Sequence, residues 1–173
     1  MIYAFKNLRT VASKRLLIQT YKALCECIIG YCICAWGGAA KTHMIVLERA
    51  QRAVLKVMLY LPKLHPTDAL YKEDTKVLSV RKMFIHQTIR RYHQLTDPHP
   101  KANTRRQPQQ AVPRTRTAFA DRHFNIQAPR LYNLLNKNTN TRILNRIKIK
   151  SAVVDWLRGF DYDSTERLVC PLS

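Results

Sequence analysis

Four cysteines stand within ten residues, Cys25, Cys27, Cys32 and Cys34, spaced C-x-C-x4-C-x-C, and Trp36, Gly37 and Gly38 follow at once. Four thiolates converging on one point would make a tetrahedral zinc site. Such sites take their ligands from two short knuckles a dozen or more residues apart, whereas the spacer here is four. If residues 16–36 wind as one helix at about 100° per residue, Cys25 and Cys32 share a side with Leu17, Ile18, Tyr21, Leu24 and Ile28, while Cys27 and Cys34 point the other way. One continuous helix cannot bring all four to a single ion, an objection that a break at Gly30 would weaken. The cysteines are read as small buried hydrophobes, with metal binding and disulfide formation as the alternatives.

Other chemistry-bearing groups are sparse. His86 and His93 lie two turns apart on one helical face, which reads as a solvated polar side, with phosphate contact or metal binding as alternatives. The close carboxylates Asp161 and Asp163, in "FDYD", would need further acids from another element for two-metal chemistry, so they are read as part of an exposed tail. Four glycines in the whole chain leave no Gly-rich phosphate loop, and no H-E-x-x-H occurs. No catalytic residue, metal or cofactor is expected.

The elements that would position these groups are helices. An amphipathic stretch from about Leu8 to Ile29 sets Arg15, Gln19, Lys22 and Glu26 opposite its apolar side. "WGGAAKT" supplies a turn, and Thr42 is a plausible N-cap for a helix reaching about Leu61. Leu47, Ala50, Val54, Val57, Met58 and Leu61 would form the buried face of that helix, with Arg49, Arg52 and Lys56 on the far side. A third helix, about Val77 to Leu95, buries Leu78, Phe84, Ile85, Ile89 and Tyr92 and turns Lys82, His86, Arg90 and His93 outward. Beyond it, residues 97–118 interleave prolines with Lys101, Arg105, Arg106, Arg114 and Arg116, a basic extended linker. A short aromatic region near Phe119–Ile126, a helix near Pro129–Leu135 and a last helix inside Thr141–Phe160 follow. The expected fold is therefore mainly α: a small antiparallel helical bundle over 1–96, the linker, a C-terminal helical segment over 119–160 and a tail over 161–173.

Charge narrows the partners. Thirty Lys and Arg against eleven Asp and Glu leave a formal charge of +19, which repels itself unless a polyanion absorbs it. Asp155, Asp161, Asp163 and Glu166 crowd the C-terminal end, so the body of the chain is more basic still. The N-terminal residues show no sustained apolar run before a small-residue cleavage site, which points to an intracellular chain, cytoplasmic or nuclear, with reduced thiols. The longest uncharged stretch, Cys27–Ala40, has fourteen residues, short of the roughly 20 that span a bilayer. No membrane partner is expected.

The segment "YKALCECIIGYCICAWGGAAKTHMIVLERAQRAVLKVML" resembles the region just downstream of the polymerase core in reverse transcriptases of jockey-like non-LTR retrotransposons. The family pattern is a tyrosine helix, then Tyr-Gly-x-x-x-Trp-Gly, then a helix with Leu-x-x-x-Gln-(Arg or Lys). Tyr21, Tyr31, Trp36, Gly37, Leu47, Gln51 and Arg52 occupy those positions. The likeness continues in "HPTDALYKEDTKVLSVRKMFIHQTIRRYHQL", "PRLYNLLN" and "SAVVDWL", and so runs over nearly the whole chain. Two positions depart from it: Cys32 stands where the pattern has glycine, and Leu135-Asn136 replaces Leu-Pro. The aspartate-rich palm hairpin and the endonuclease of the family have no counterpart in this sequence.

The resemblance implies a thumb and post-thumb piece of an RNA-directed DNA polymerase, inactive by itself. It would hold the RNA or DNA backbone of a template-primer through Arg49, Arg52, Lys56, Lys82, Arg90, Arg105, Arg106, Arg114 and Arg116, and would pack against a polymerase palm domain. Two other readings stay open: a helical interaction module whose apolar face docks on a partner, and a degenerate transposon remnant without independent activity.

Overall fold

In a computed structural model, described for residues 1–96, 110–139 and 145–170, the chain is mainly helical, and no strand occurs among the described residues. Contacts divide it into two compact units, Met1–Ile33 with Ala39–Met83, and Cys34–Gly38 with Phe84–Ser173.

In the first unit, α1 (Ile2–Leu8) precedes α2 (Lys14–Tyr21), whose start is fixed by Ser13 accepting the Leu16 N–H. The helix expected from about Leu8 therefore begins only at Lys14, after the Ser13 cap, and α1 before it is a separate helix. Helical backbone continues from α2 through a π-helical turn (Lys22–Glu26) into α3 (Cys27–Gly30). A π turn takes in one residue more than an α turn, and the side chains beyond it are displaced around the rod. Leu17, Tyr21 and Cys25 are buried as expected, whereas Leu24 and Ile28 are 48% and 65% exposed. The rod then breaks: Tyr31 is extended and Cys32 takes a left-handed φ of 49°. Of the four clustered cysteines only Cys25 is a core residue. Cys27 and Cys32 are exposed and Cys34 is half-buried, which corrects the reading of all four as buried hydrophobes.

After α4 (Ile33–Trp36), the long α5 (Lys41–Met58) begins at Ala40 rather than at a Thr42 cap. Its buried residues, Met44, Glu48, Gln51, Leu55 and Met58, keep strict three-four spacing. The expected face is therefore rotated: Leu47, Val54, Val57 and Leu61 are only half-buried and Ala50 is exposed. Reading by apolar count selects the wrong stripe here because two of its inward members are polar. Phe5, Leu17, Tyr21, Cys25, Leu55, Met58, Leu70 and Val77 form the core of this unit. Leu70 and Val77 come from the segment after α6 (Thr67–Ala69), which passes through a second π-helical turn, Leu70–Asp74.

The second unit takes the larger part of α7 (Val80–Leu95), together with α8 (Ala118–Asp121), α9 (Phe124–Asn138), α10 (Arg146–Arg158) and α11 (Tyr162–Val169). Of the expected linker, residues 97–109 lie outside the described residues, and 110–117 have no regular structure. The described part is held at its start, where the Gln110 N–H donates to Asn133 Oδ1 at 2.8 Å and Asn133 Nδ2 donates back to the Gln110 carbonyl at 2.9 Å. The expected aromatic region is divided between α8 and the start of α9, and the expected Pro129–Leu135 helix lies within α9, which carries the buried Pro129 inside it. Residues 162–169, expected as tail, are helical because Asp161 caps them, accepting the Ser164 N–H at 2.9 Å. Thr165, Glu166 and Val169 are buried there.

Gly38 is where backbone approaches backbone. A Cβ at that position would collide with the carbonyl oxygen of Arg122, so the turn expected at Trp36-Gly37-Gly38 requires glycine for space rather than for φ.

Candidate nucleic-acid interface

α5 is held by a buried polar network on its inner side. Gln51 Nε2 donates to the Tyr21 hydroxyl and to the Leu78 carbonyl, both at 3.0 Å, and the Tyr71 hydroxyl donates to Gln51 Oε1 at 2.9 Å. Burial pushes both phenols well above their ordinary pKa, so they remain neutral hydrogen-bonding groups. Three residues earlier, Glu48 Oε1 accepts the Arg81 backbone N–H at 3.2 Å, and the fully buried Arg81 guanidinium donates to the Ala39 carbonyl at 3.2 and 3.3 Å. Buried amides and charges tolerate few orientations. The network therefore fixes the rotation of α5 and with it the direction of its outer residues. Gln51 is part of the motif quoted above, whereas Glu48 and Arg81 belong to no motif. The signal available for Glu48 was the unbroken three-four spacing from Met44 to Met58; Arg81, on α7, has no such signal.

The outer residues of α5 differ in their surroundings. Arg49 is exposed. Arg52 is half-buried, with Nη1 3.3 Å from the Thr67 hydroxyl. Lys56 is half-buried, and its ammonium donates to the carbonyls of Lys63 and His65, each at 2.7 Å, tying down the loop after the helix. Arg9 reaches α5 from the end of α1, donating through Nη1 to the Val57 carbonyl at 2.6 Å. Its guanidinium carbon sits 3.7 Å from the centre of the Tyr60 ring. The acceptors in these bonds are neutral carbonyls and hydroxyls, so the bonds themselves orient the positive charge of Arg9, Arg52 and Lys56 without cancelling it. No Asp or Glu occurs in residues 1–25 or 49–67, while five and four Lys or Arg do.

Tyr60 itself closes α5. Leu61 N–H donates to the Lys56 carbonyl at 2.9 Å and Tyr60 N–H to that of Val57 at 3.5 Å, with Tyr60 at a left-handed φ of 59°. That is the Schellman arrangement, in which glycine is usual. A side chain there costs about 1–2 kcal/mol, and an exposed cation–π contact such as that with Arg9 returns only about 0.5–1.

The remaining expected contacts fall in both units. Lys82 is a half-buried residue of the first unit, and Arg90 a half-buried residue of the second. Arg114 and Arg116 are exposed in the coil before α8. Arg105 and Arg106 lie outside the described residues.

The expected solvated histidine face is not present. His86 and His93 are each 5% exposed. His93 Nδ1 lies 3.0 Å from the Tyr132 hydroxyl. Burial, followed by the Arg90 and Lys150 cations, lowers the His86 pKa to about 4, so its imidazole is neutral near pH 7. Both follow from α7 being enclosed over most of its circumference: Val80, Met83, Phe84, Ile85, Thr88 and Ile89 are buried as well. Asp161 serves as the cap described above, and bonding with Ser164 holds its carboxyl below the usual range. Among the described residues, no three His, Cys, Asp or Glu side chains gather as a metal site, and no helix is long and apolar enough to cross a membrane. No family model, curated protein or solved structure matches the chain.

Proposed function

We propose that this chain grips the phosphate backbone of RNA or DNA and does no chemistry on it, in the manner of the thumb and post-thumb region of a jockey-like reverse transcriptase. The observation that carries the reading is the uncancelled charge of the first unit: α1 and α5 pack together and bring Arg9, Arg49, Arg52 and Lys56 from two acid-free stretches, with three of the four bonded to neutral acceptors. Such a surface positions a backbone without reading sequence. Two details support the resemblance. Cys32, at the position where the pattern has glycine, carries the left-handed backbone that favours glycine, and the motif residues Tyr21 and Gln51 bond to each other. A palm domain would supply the absent catalytic carboxylates, and the place of action would be cytoplasmic or nuclear.

The test uses exposed cations, since Arg52 and Lys56 also support the loop. Arg49→Glu, Arg114→Glu and Arg116→Glu together lower duplex affinity by about tenfold or more at low salt with helicity unchanged. Unchanged affinity would refute the reading, and so would primer extension by the purified chain. A second reading, docking onto a protein partner, is favoured by the outward Leu24 and Ile28. In that case the triple variant leaves binding of both nucleic acid and partner as it was.

A further inference from the structure

We propose that Tyr60, backed by Arg9, is a stacking platform for an unpaired base of a single-stranded nucleic acid. This deepens the preceding reading and rests on it: the backbone grip would hold the strand, and Tyr60 would hold one base. The backbone gives the first reason. Tyr60 stands at the left-handed position that terminates α5, where glycine would close the same two hydrogen bonds without strain. Helix termination therefore does not call for an aromatic ring. Nor does the core, because Tyr60 is 61% exposed. Strain that the fold does not need is the kind of feature that marks binding sites.

The surroundings supply the second reason. The Arg9 guanidinium, anchored on the Val57 carbonyl, lies over the ring at 3.7 Å and holds its orientation. With that contact made, most of the Tyr60 surface is still accessible, leaving room for a second planar group. Lys6, one turn before Arg9, and Lys63, three residues after Tyr60, are exposed cations on the same two acid-free stretches. An aromatic ring that stays accessible among lysines and arginines is the arrangement by which proteins hold single strands, stacking on bases while cations track phosphates. A partner protein with an apolar pocket would gain nothing from the positive surround, and a duplex offers no unpaired base to the ring.

The test compares three labelled probes by fluorescence anisotropy: a short single-stranded oligonucleotide, the same strand with abasic sites throughout, and the corresponding duplex. Tyr60→Gly keeps the helix end, because glycine suits the left-handed backbone, and circular dichroism verifies this. Its affinity for the base-containing strand falls roughly five- to 150-fold, equivalent to ~1–3 kcal/mol of stacking per base. Duplex and abasic affinities stay within about twofold, and Tyr60→Trp retains single-strand binding. With 2-aminopurine in the strand, the wild-type chain quenches its fluorescence on binding and Tyr60→Gly does not. Salt-sensitive duplex binding together with an unchanged single-strand affinity in Tyr60→Gly would overturn the platform and leave the backbone grip standing. An equal loss on all three probes would also overturn it, by making the ring a structural support. No binding of any probe would remove both.

Discussion

Replacing Cys32 by glycine should stabilise the protein, a result that a simple count of contacts would not foresee. Cys32 has a left-handed φ of 49° and is exposed. A Cβ in that conformation costs about 1–2 kcal/mol. Glycine removes this cost but adds freedom to the unfolded chain, worth roughly 0.5–1 kcal/mol against folding. The difference leaves Cys32→Gly more stable by about 0.5–1 kcal/mol, or roughly 1–4 °C in Tm for a chain of this size. Urea unfolding under reducing conditions, followed by circular dichroism, measures it. Cys32→Ala is the control: it removes the thiol and keeps the Cβ, so it should leave the midpoint nearly unchanged. A Cys32→Gly midpoint below wild type would refute the reasoning, and equal gains from both substitutions would assign the effect to the sulfur rather than the backbone.

Gly38→Ala should destabilise by about 1–3 kcal/mol, since the new methyl meets backbone at Arg122, whereas Gly30→Ala faces only Met83 Sδ at 3.8 Å and should gain about 0.5–1 kcal/mol; thermal unfolding distinguishes them. Gln51→Leu deprives the buried Tyr21 and Tyr71 hydroxyls and the Leu78 carbonyl of a partner, a loss of about 2–4 kcal/mol in chemical unfolding. His86 makes stability depend on pH. Its folded pKa of about 4 lies below the ordinary 6.5, so between those values the unfolded chain binds a proton that the folded chain refuses. The contribution, about 3 kcal/mol, is complete above pH 6.5 and is lost as pH falls towards 4. His86→Gln should flatten that part of the stability curve, and an unaltered slope would contradict it.

The helical class and the approximate places of three long helices were legible in the sequence, because apolar residues recur at helical spacing around Leu17 and Tyr21, Val54 and Met58, and Phe84 and Ile89. Rotation was less legible. The inward face of α5 includes Glu48 and Gln51, and a polar residue looks outward until its buried partners are known. For α7 the histidines suggested a wet side, but enclosure by neighbouring elements of the fold, invisible to local pattern, buried them. The π-helical turn at Lys22–Glu26 is not contained in a fixed 100° per residue, and that fixed angle is what places Leu24 and Ile28 on the inward side. In the candidate interface, the basic residue types were evident, but their attachments were not. Lys56 reads as an outward cation and proves to be a tie for the loop that follows it. Tyr60 has no sequence signature other than its place before Leu61-Pro62, since an aromatic at a helix end draws no notice until its φ is known.

The most direct measurement is the affinity of the whole chain for an unlabelled-sequence duplex as salt is raised from about 50 to 200 mM, because neutralised phosphates release their counterions on binding. A backbone grip built from uncancelled arginines and lysines requires log K to fall linearly with log[salt], by roughly 0.7–0.9 for each phosphate contacted. Binding that keeps the same strength across that range, or none at the lowest salt, would contradict it.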